Sequence, residues 1–438
     1  MNANETPMQS IDRSKLFVAS CLALLVTSLS FGIRAGLLNR WGAEFQLTGV
    51  EIGSIAASAF WSFPIAIIIG GMLVDAFGMK RILVLAFVAH LLGIVLTIFA
   101  DGYWSLFIST LFIGIANGTV EAACNPLVAS LYPDNKTTKL NHFHLWFPAG
   151  IVIGSLIVFS FDGIGLGWQI QMAMMLIPTL LYGYLFSKLK MPVTERVALG
   201  VSSRDMYFSL LNPLFLFMII CMFGTAITEL FVNQWVDVLL KNVTENAILI
   251  LMLTTGVMVV GRAFAGPIVH RMAPSGVLLI SSIVATIGLY LLANSGAGIM
   301  LYVGALIFGL GVCYFWPTMI GFVAEYLPKT GALGLSVIGG AGMFAVSIYM
   351  IFMGGFYDSL VISKLPAGAD LGDYLSASSG TKMAYDFEAA KTQAGPEILN
   401  ATLIIPIILI IAFTGLFFYM RTRQKRAMKT PQEKMATS

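Results

Sequence analysis

Four ionisable side chains stand deep inside otherwise apolar stretches: Arg34, Glu121, Glu229 and Arg262. A carboxylate in such a place can load and release a proton, whereas a guanidinium keeps its charge and can hold an anion. At the centre of an apolar span each charge costs roughly 2.5–3.5 kcal/mol on insertion scales, so it persists only where a partner or water meets it. The spacing sharpens the point. Asn117, Glu121 and Asn125 recur every four residues and share one helical face, and Thr27, Ser30 and Arg34, three and four apart, share another. Thr225, Glu229 and Asn233 form a third stripe, with Gln234 and Trp235 beside it. Hydrocarbon cannot solvate such stripes, so they are expected to face protein or a watered cavity. The candidate solute-binding set is therefore Arg34, Asn117, Glu121, Asn125, His144, Trp146, Glu229, Asn233, Gln234 and Trp316, with Glu121 and Glu229 as candidate proton carriers. Structural alternatives stand beside these roles. Either glutamate also reads as a carboxylate permanently hydrogen-bonded between helices, and His144 as a helix-start histidine. Arg262, just after Gly261, reads as a gating or packing residue. The tryptophans read as packing aromatics, although the apolar face of a sugar stacks well on such rings.

The elements that hold these residues follow from composition. The chain has 438 residues, 58% hydrophobic and 11% charged, against about 25% charged for soluble domains. Windows of about 20 apolar residues, the length needed to cross a bilayer, predict twelve spans. They cover 16–38, 52–74, 82–100, 105–131, 142–160, 169–186, 213–236, 247–269, 277–293, 299–326, 332–356 and 398–420. The runs are continuous, with no alternation of the kind a β-barrel needs, so an all-α membrane protein is expected. Cys21, Cys124, Cys221 and Cys313 all lie in apolar segments without metal-ligand spacing and read as buried small hydrophobes. Val18–Cys21 looks like a lipoprotein cleavage site, but Lys15 is too close to leave a signal core, so the first helix is expected to stay.

Orientation follows from the basic residues. With both termini inside, eighteen Lys and Arg fall on the cytoplasmic side, whereas only Arg40, Lys241, Lys364, Lys382 and Lys391 fall outside. This predicts a multi-pass protein of a bacterial inner (plasma) membrane. The basic connection 187–212 divides a six-helix bundle, 1–186, from a second one, 213–420, and a basic tail, 421–438, follows. The tail reads as topogenic charge or as a contact for anionic lipid. The Gly/Ser/Ala-rich stretch 357–397 reads as an external, partly ordered cover.

After the second span come Gly71, Asp75, Gly78, Lys80 and Arg81. Gly71 permits close packing, Gly78 a tight turn, and Asp75 suits a helix N-terminus or a basic partner. This signature resembles that of the major facilitator superfamily, which implies two pseudo-symmetric six-helix bundles and a cytoplasmic latch. A degraded echo, with Gly261, Arg262, Gly266, Pro267, His270 and Arg271, follows the eighth span, and Arg262 and Arg271 join the expected gate. A narrower likeness lies in span four. Asn117, Gly118, Glu121, Asn125 and Pro126, then Tyr132, Pro133, Leu140 and Asn141, are similar to the fucose–galactose–glucose proton symporter family. Phe315–Thr318 and the glycines at 339, 340 and 342 resemble it too. That resemblance implies proton-coupled sugar uptake, with Glu121 matching the family's membrane carboxylate. The chain departs from the pattern where the family has an aspartate in span one, since Ala35 stands there beside Arg34. His144 and Phe147 occupy positions where the family tends to place amides.

The expected function is secondary active transport of a monosaccharide or sugar derivative, driven by a proton gradient without a cofactor, by a protein working as a monomer. The alternatives are transport of an organic anion, such as a sugar acid, bound through Arg34, or proton-driven export of small molecules. In the first of these schemes Arg34 is the charge partner of Glu121. No zinc-protease, nucleophile-elbow or phosphate-loop motif appears, so no enzyme is expected, and no nucleic-acid partner. The sequons at Asn135 and Asn242 carry no argument.

Overall fold

The computed structural model of the chain describes residues 11–47, 49–240, 247–375, 377–378 and 380–436. Lys241 and the Asn242 sequon lie outside them, as do the side chains of Arg426, Lys429 and Lys434 in the tail. Within lipid every backbone amide must find its partner inside the segment, and helices are what result. In order these are α1 (Arg13–Glu44), α2 (Gly49–Phe77), α3 (Met79–Ile98), α4 (Tyr103–Leu131), α5 (Lys136–His144), α6 (Trp146–Gly163), α7 (Trp168–Ala173) and α8 (Leu176–Lys188). Short α9 (Glu195–Ala198) and α10 (Ser203–Ser209) occupy the basic connection. Then come α11 (Pro213–Ala226), a π-helical turn at Ile227–Phe231, α12 (Val232–Leu240), α13 (Ala247–Ala263), α14 (Ala265–Asn294), α15 (Ile299–Val312) and α16 (Phe315–Tyr326). The chain closes with α17 (Gly331–Lys364), α18 (Leu371–Leu375), α19 (Lys382–Thr402) and α20 (Ile404–Ala436).

Among the described residues eleven helical segments are long and apolar enough to span a membrane, and Ile250–Ala263 is a shorter apolar helix. That shorter helix stands where span 247–269 is expected. It stops early because the helix breaks at Phe264 and restarts, with Pro267 in the first turn of α14, where its missing N–H costs nothing. A kink at Ala273, with φ 55°, precedes Pro274. The burial pattern is that of a lipid-facing protein. Ile69, Phe99, Phe159, Ile220 and Phe352 are exposed, while Thr27, Asn117, Asn125 and Thr225 are buried.

Contacts divide the chain into two compact units. One contains Met1–Phe223, Met258–Ala263 and Met319–Ile348; the other contains Gly224–Val257, Phe264–Thr318 and Tyr349–Ser438. In the first, α4 packs against α2 across Gly118, where a Cβ would overlap the Phe63 carbonyl. In the second, α14 and α15 close on each other where a Cβ at Gly311 would overlap the Ala285 backbone. The stretch 357–397 is largely helical rather than a loose cover. Residues 357–364 finish α17 and 382–397 begin α19, packed through Val361, Leu365, Ala390 and Ala394 and joined by a Lys364–Glu397 ion pair of 2.7 Å. Its Ala, Glu and Lys content is good helix material despite the glycines and serines.

Candidate functional site

Helix α4 is the spine of the polar interior of the first unit. One turn of it is tied into a closed chain of donors and acceptors. Tyr182 Oη lies 2.8 Å from His90 Nδ1, His90 Nε2 lies 2.8 Å from Asn117 Oδ1, and Asn117 Nδ2 donates to Ser30 Oγ at 3.0 Å. Ser30 in turn donates to the Thr27 carbonyl at 2.6 Å. With the Nε2–H tautomer of His90 each of these hydrogen bonds has one donor and one acceptor. Four helices are thereby cross-linked by neutral groups, and Asn117 serves this network.

One turn further along α4 the groups become ionisable. Glu121 is 2% exposed. Its Oε2 accepts from Asn125 Nδ2 at 2.7 Å, and Asn125 Oδ1 meets His144 Nε2 at 2.9 Å. The amide thus orients both residues, and it places His144 Nδ1 4.0 Å from Glu121 Oε1. His144 is fully buried at the end of α5. Its carbonyl would normally accept from the amide four residues on, but that residue is Pro148, which has none. Arg262, 1% exposed at the end of α13, takes up the freed acceptor, Nη1 donating to His144 O at 2.8 Å. The Arg262 charge acts on both Glu121 and His144. Trp146 is half-buried, its carbonyl accepting from Ser28 Oγ at 2.9 Å.

Arg34 is not the partner of Glu121, contrary to the sequence expectation. Helices α1 and α4 run antiparallel and are pinned by Ser30 and Asn117. Arg34 lies one turn beyond the pin on α1 and Glu121 one turn beyond it on α4, which separates them by about 12 Å along the axis. Arg34 instead sits among aromatic rings, 5.1 Å from the centroid of Phe31 and 6.0 Å from that of Phe60. It is 6% exposed, and its Nη1 is buried without a hydrogen-bond partner.

In the second unit Glu229 lies in the π-helical turn, buried, and its Oε2 accepts from the Trp316 amide at 3.3 Å. That amide is one of the unsatisfied donors at the start of α16, a place that favours a carboxylate. Trp316 is buried and Gln234 exposed, while Asn233 is intermediate. Trp235 packs edge-on against Tyr357 at 6.3 Å.

The residues of the expected gate in the first unit lie in a cluster of close contacts, here called the latch, in which Asp75 meets a basic partner. Gly78 takes the tight turn with φ +81°, and Gly71 is so close to Ser336 that a Cβ would overlap it. Asp75 accepts from Arg196 Nε at 2.6 Å and from Thr194 Oγ1. Lys80 donates to the carbonyls of Ser187 at 2.8 Å and Leu189 at 3.3 Å, and Arg81 is exposed. Lys136 pairs with Glu195 at 2.7 Å and donates to Ala324 O at 2.9 Å, while Glu325 Oε1 accepts from the amide and hydroxyl of Thr137 at 3.0 and 2.7 Å. A small pocket opens beside this latch, lined in part by Ser130, Thr194, Arg196 and Leu335. Arg34 and Glu121 are not among its lining residues. Arg271, on α14 in the second unit, is exposed. Sequence reasoning missed His90, Tyr182, Thr194, Glu195, Arg196 and Glu325. A lone histidine within an apolar span was the available signal for His90; the others declare themselves only through partners distant in sequence.

A family model described as the Major Facilitator Superfamily matches residues 19–350. A D-xylose transporter of Levilactobacillus brevis is 28% identical over 145 residues, 33% of this chain and 30% of that protein. A cis,cis-muconate transport protein of Acinetobacter baylyi is 27% identical over 169 residues, 38% of this chain and 40% of that protein. The match to the first of these curated relatives thus spans under a third of its length. The fold is similar to that of the solved E. coli fucose:proton symporter, with a TM-score of 0.66 and 16% identity over 90% of this chain and 98% of that one. It is likewise similar to that of a proton:xylose symporter, with a TM-score of 0.68 and 14% identity over 91% and 96%.

Proposed function

The chain belongs to the Major Facilitator Superfamily, and from that premise we propose that it is a secondary active transporter coupling proton entry to uptake of a monosaccharide or sugar derivative by alternating access. The observation that carries the coupling is the Glu121–Asn125–His144 group, a buried carboxylate with one oxygen held and the other facing a ring nitrogen. The relative named for D-xylose, and the solved symporters named for fucose and xylose, support the sugar.

The proposed cycle uses the geometry directly. With His144 Nε2–H donating to Asn125, Nδ1 is the bare nitrogen that faces Glu121. An ionised Glu121 then relies on the positive charge of Arg262, which holds Arg262 near its seat on the His144 carbonyl. Loading a proton on Glu121 cancels that attraction. Arg262 is then free to leave the His144 carbonyl, and in the proposed cycle opening of the latch end follows. Departure of the proton there restores the pull and reseats Arg262. The excess of Lys and Arg in the segments on the latch side supports a cytoplasmic location for that end and for both termini, in the plasma membrane of a bacterium. The protein is proposed to work as a monomer. Glu229, which caps α16, is assigned a structural part.

The test is accumulation of radiolabelled sugars in proteoliposomes under an imposed pH gradient, acid outside. The expected result is uphill accumulation that an uncoupler abolishes. Equilibration to the same level with and without the gradient would remove proton coupling and leave a facilitator.

A further inference from the structure

We infer that the transported solute carries a carboxylate, and that Arg34 is the group on which it docks. This rests on the transporter reading above and narrows the sugar derivative to a sugar acid.

Arg34 cannot shed its charge, and it lies buried with Nη1 sealed from solvent and unpartnered. Four acids of the first unit are committed elsewhere. Glu121 is held by Asn125, Asp75 by Arg196, Asp162 by Arg40 and Gln171, and Glu44 by Trp168. Arg34 lies over the rings of Phe31 and Phe60, and Phe147 is tilted against Phe31 with centroids 5.8 Å apart. Rings attract a cation but accept no strong hydrogen bond, so they offset only part of the cost of burying it. A planar fork of donors whose Nη1 finds no acceptor among the described residues matches the two oxygens of a carboxylate. The same rings offer flat apolar surface to the CH face of a pyranose, which favours a sugar acid over a simple aliphatic acid. One relative is named for muconate, a dicarboxylate, so a carboxylate cargo is not foreign to similar chains.

The full-length protein in detergent is titrated calorimetrically with D-glucuronate, D-galacturonate and D-gluconate, and with D-glucuronamide, D-glucose and D-xylose. Uronates against gluconate distinguish a ring acid from an open-chain one. At least one acid is expected to bind, with a neutral counterpart weaker by at least about thirty-fold, the low end of what losing one member of a buried charge pair costs. Arg34→Gln is expected to lose the same factor for the acid and to change the affinity for the neutral ligand by far less. Exchanging the acid for its amide on the ligand side keeps the test valid if that variant fails to fold. Equal binding of acid and amide, unchanged acid affinity in Arg34→Gln, or no binding by any acid overturns the inference. Gradient-driven uptake of a neutral sugar with no acid bound sinks the inference and leaves the transporter reading intact. An acid that binds but never enters vesicles does the reverse.

Discussion

Glu121 and Arg34 lie one turn to either side of the same cross-link, Ser30 to Asn117, in the same bundle, and both are buried. Their surroundings are opposite. Asn125 and His144 meet the carboxylate, and the charge of Arg262 acts on it. The guanidinium has aromatic rings and a sealed, unpaired nitrogen. A buried charge whose partners are built in can change state only by gaining or losing a proton, or by moving a partner. A buried charge without partners is completed from outside. Under the proposed function the contrast separates coupling from recognition, and each half can be broken on its own.

The largest effect is expected at the coupling group. Glu121→Gln keeps the shape and removes the titration, so gradient-driven accumulation should fall to the equilibrated level while exchange of solute persists. Accumulation that survives in this variant makes Glu121 a structural carboxylate. Next comes Arg262→Ala, which removes a hydrogen bond from a charged donor, worth about 1.5–3 kcal/mol. It should populate the state open at the latch end, read as faster thiol labelling of Ser130→Cys beside the latch. Pro148→Ala supplies the missing amide to the His144 carbonyl and should weaken the Arg262 contact in the same direction but less. Unchanged labelling in both variants removes Arg262 from the gate. A smaller, purely structural effect is expected at the neutral network, where His90→Ala leaves buried groups of Asn117 and Tyr182 unpaired. That should lower the melting temperature, at a cost of about 1–3 kcal/mol, with the pH profile of uptake unmoved. The smallest effect belongs to Glu229→Gln, which retains an acceptor for the Trp316 amide. Loss of coupling there would move the proton pathway to the second unit.

What the sequence discloses here depends on distance along the chain. Spacing within one helix was sufficient for Asn117, Glu121 and Asn125, because a four-residue repeat fixes a face. The glycines at 71 and 78 were legible for the same local reason. The freed carbonyl of His144 is implied by Pro148 alone, but its donor, Arg262, lies 118 residues away and declared only that it was buried and charged. The pairing of Arg34 with Glu121 failed because the register of two antiparallel helices is set by a side-chain bond, Ser30 to Asn117, that neither helix reveals by itself. Asp75 was expected to meet a basic partner, and the connecting segment supplied Arg196 at a spacing no local pattern encodes. The stretch 357–397 misled through its glycines and serines, while the alanines, glutamates and lysines of 382–397 carried the helix.

The claim on which the rest turns is that a proton rides on Glu121 with each solute. Adding solute to protein-loaded vesicles in a lightly buffered medium, under a pH electrode, reads that proton directly. The account predicts a transient alkalinisation outside for the wild-type chain and none for Glu121→Gln in vesicles that still exchange labelled solute. The same alkalinisation from both proteins would contradict it.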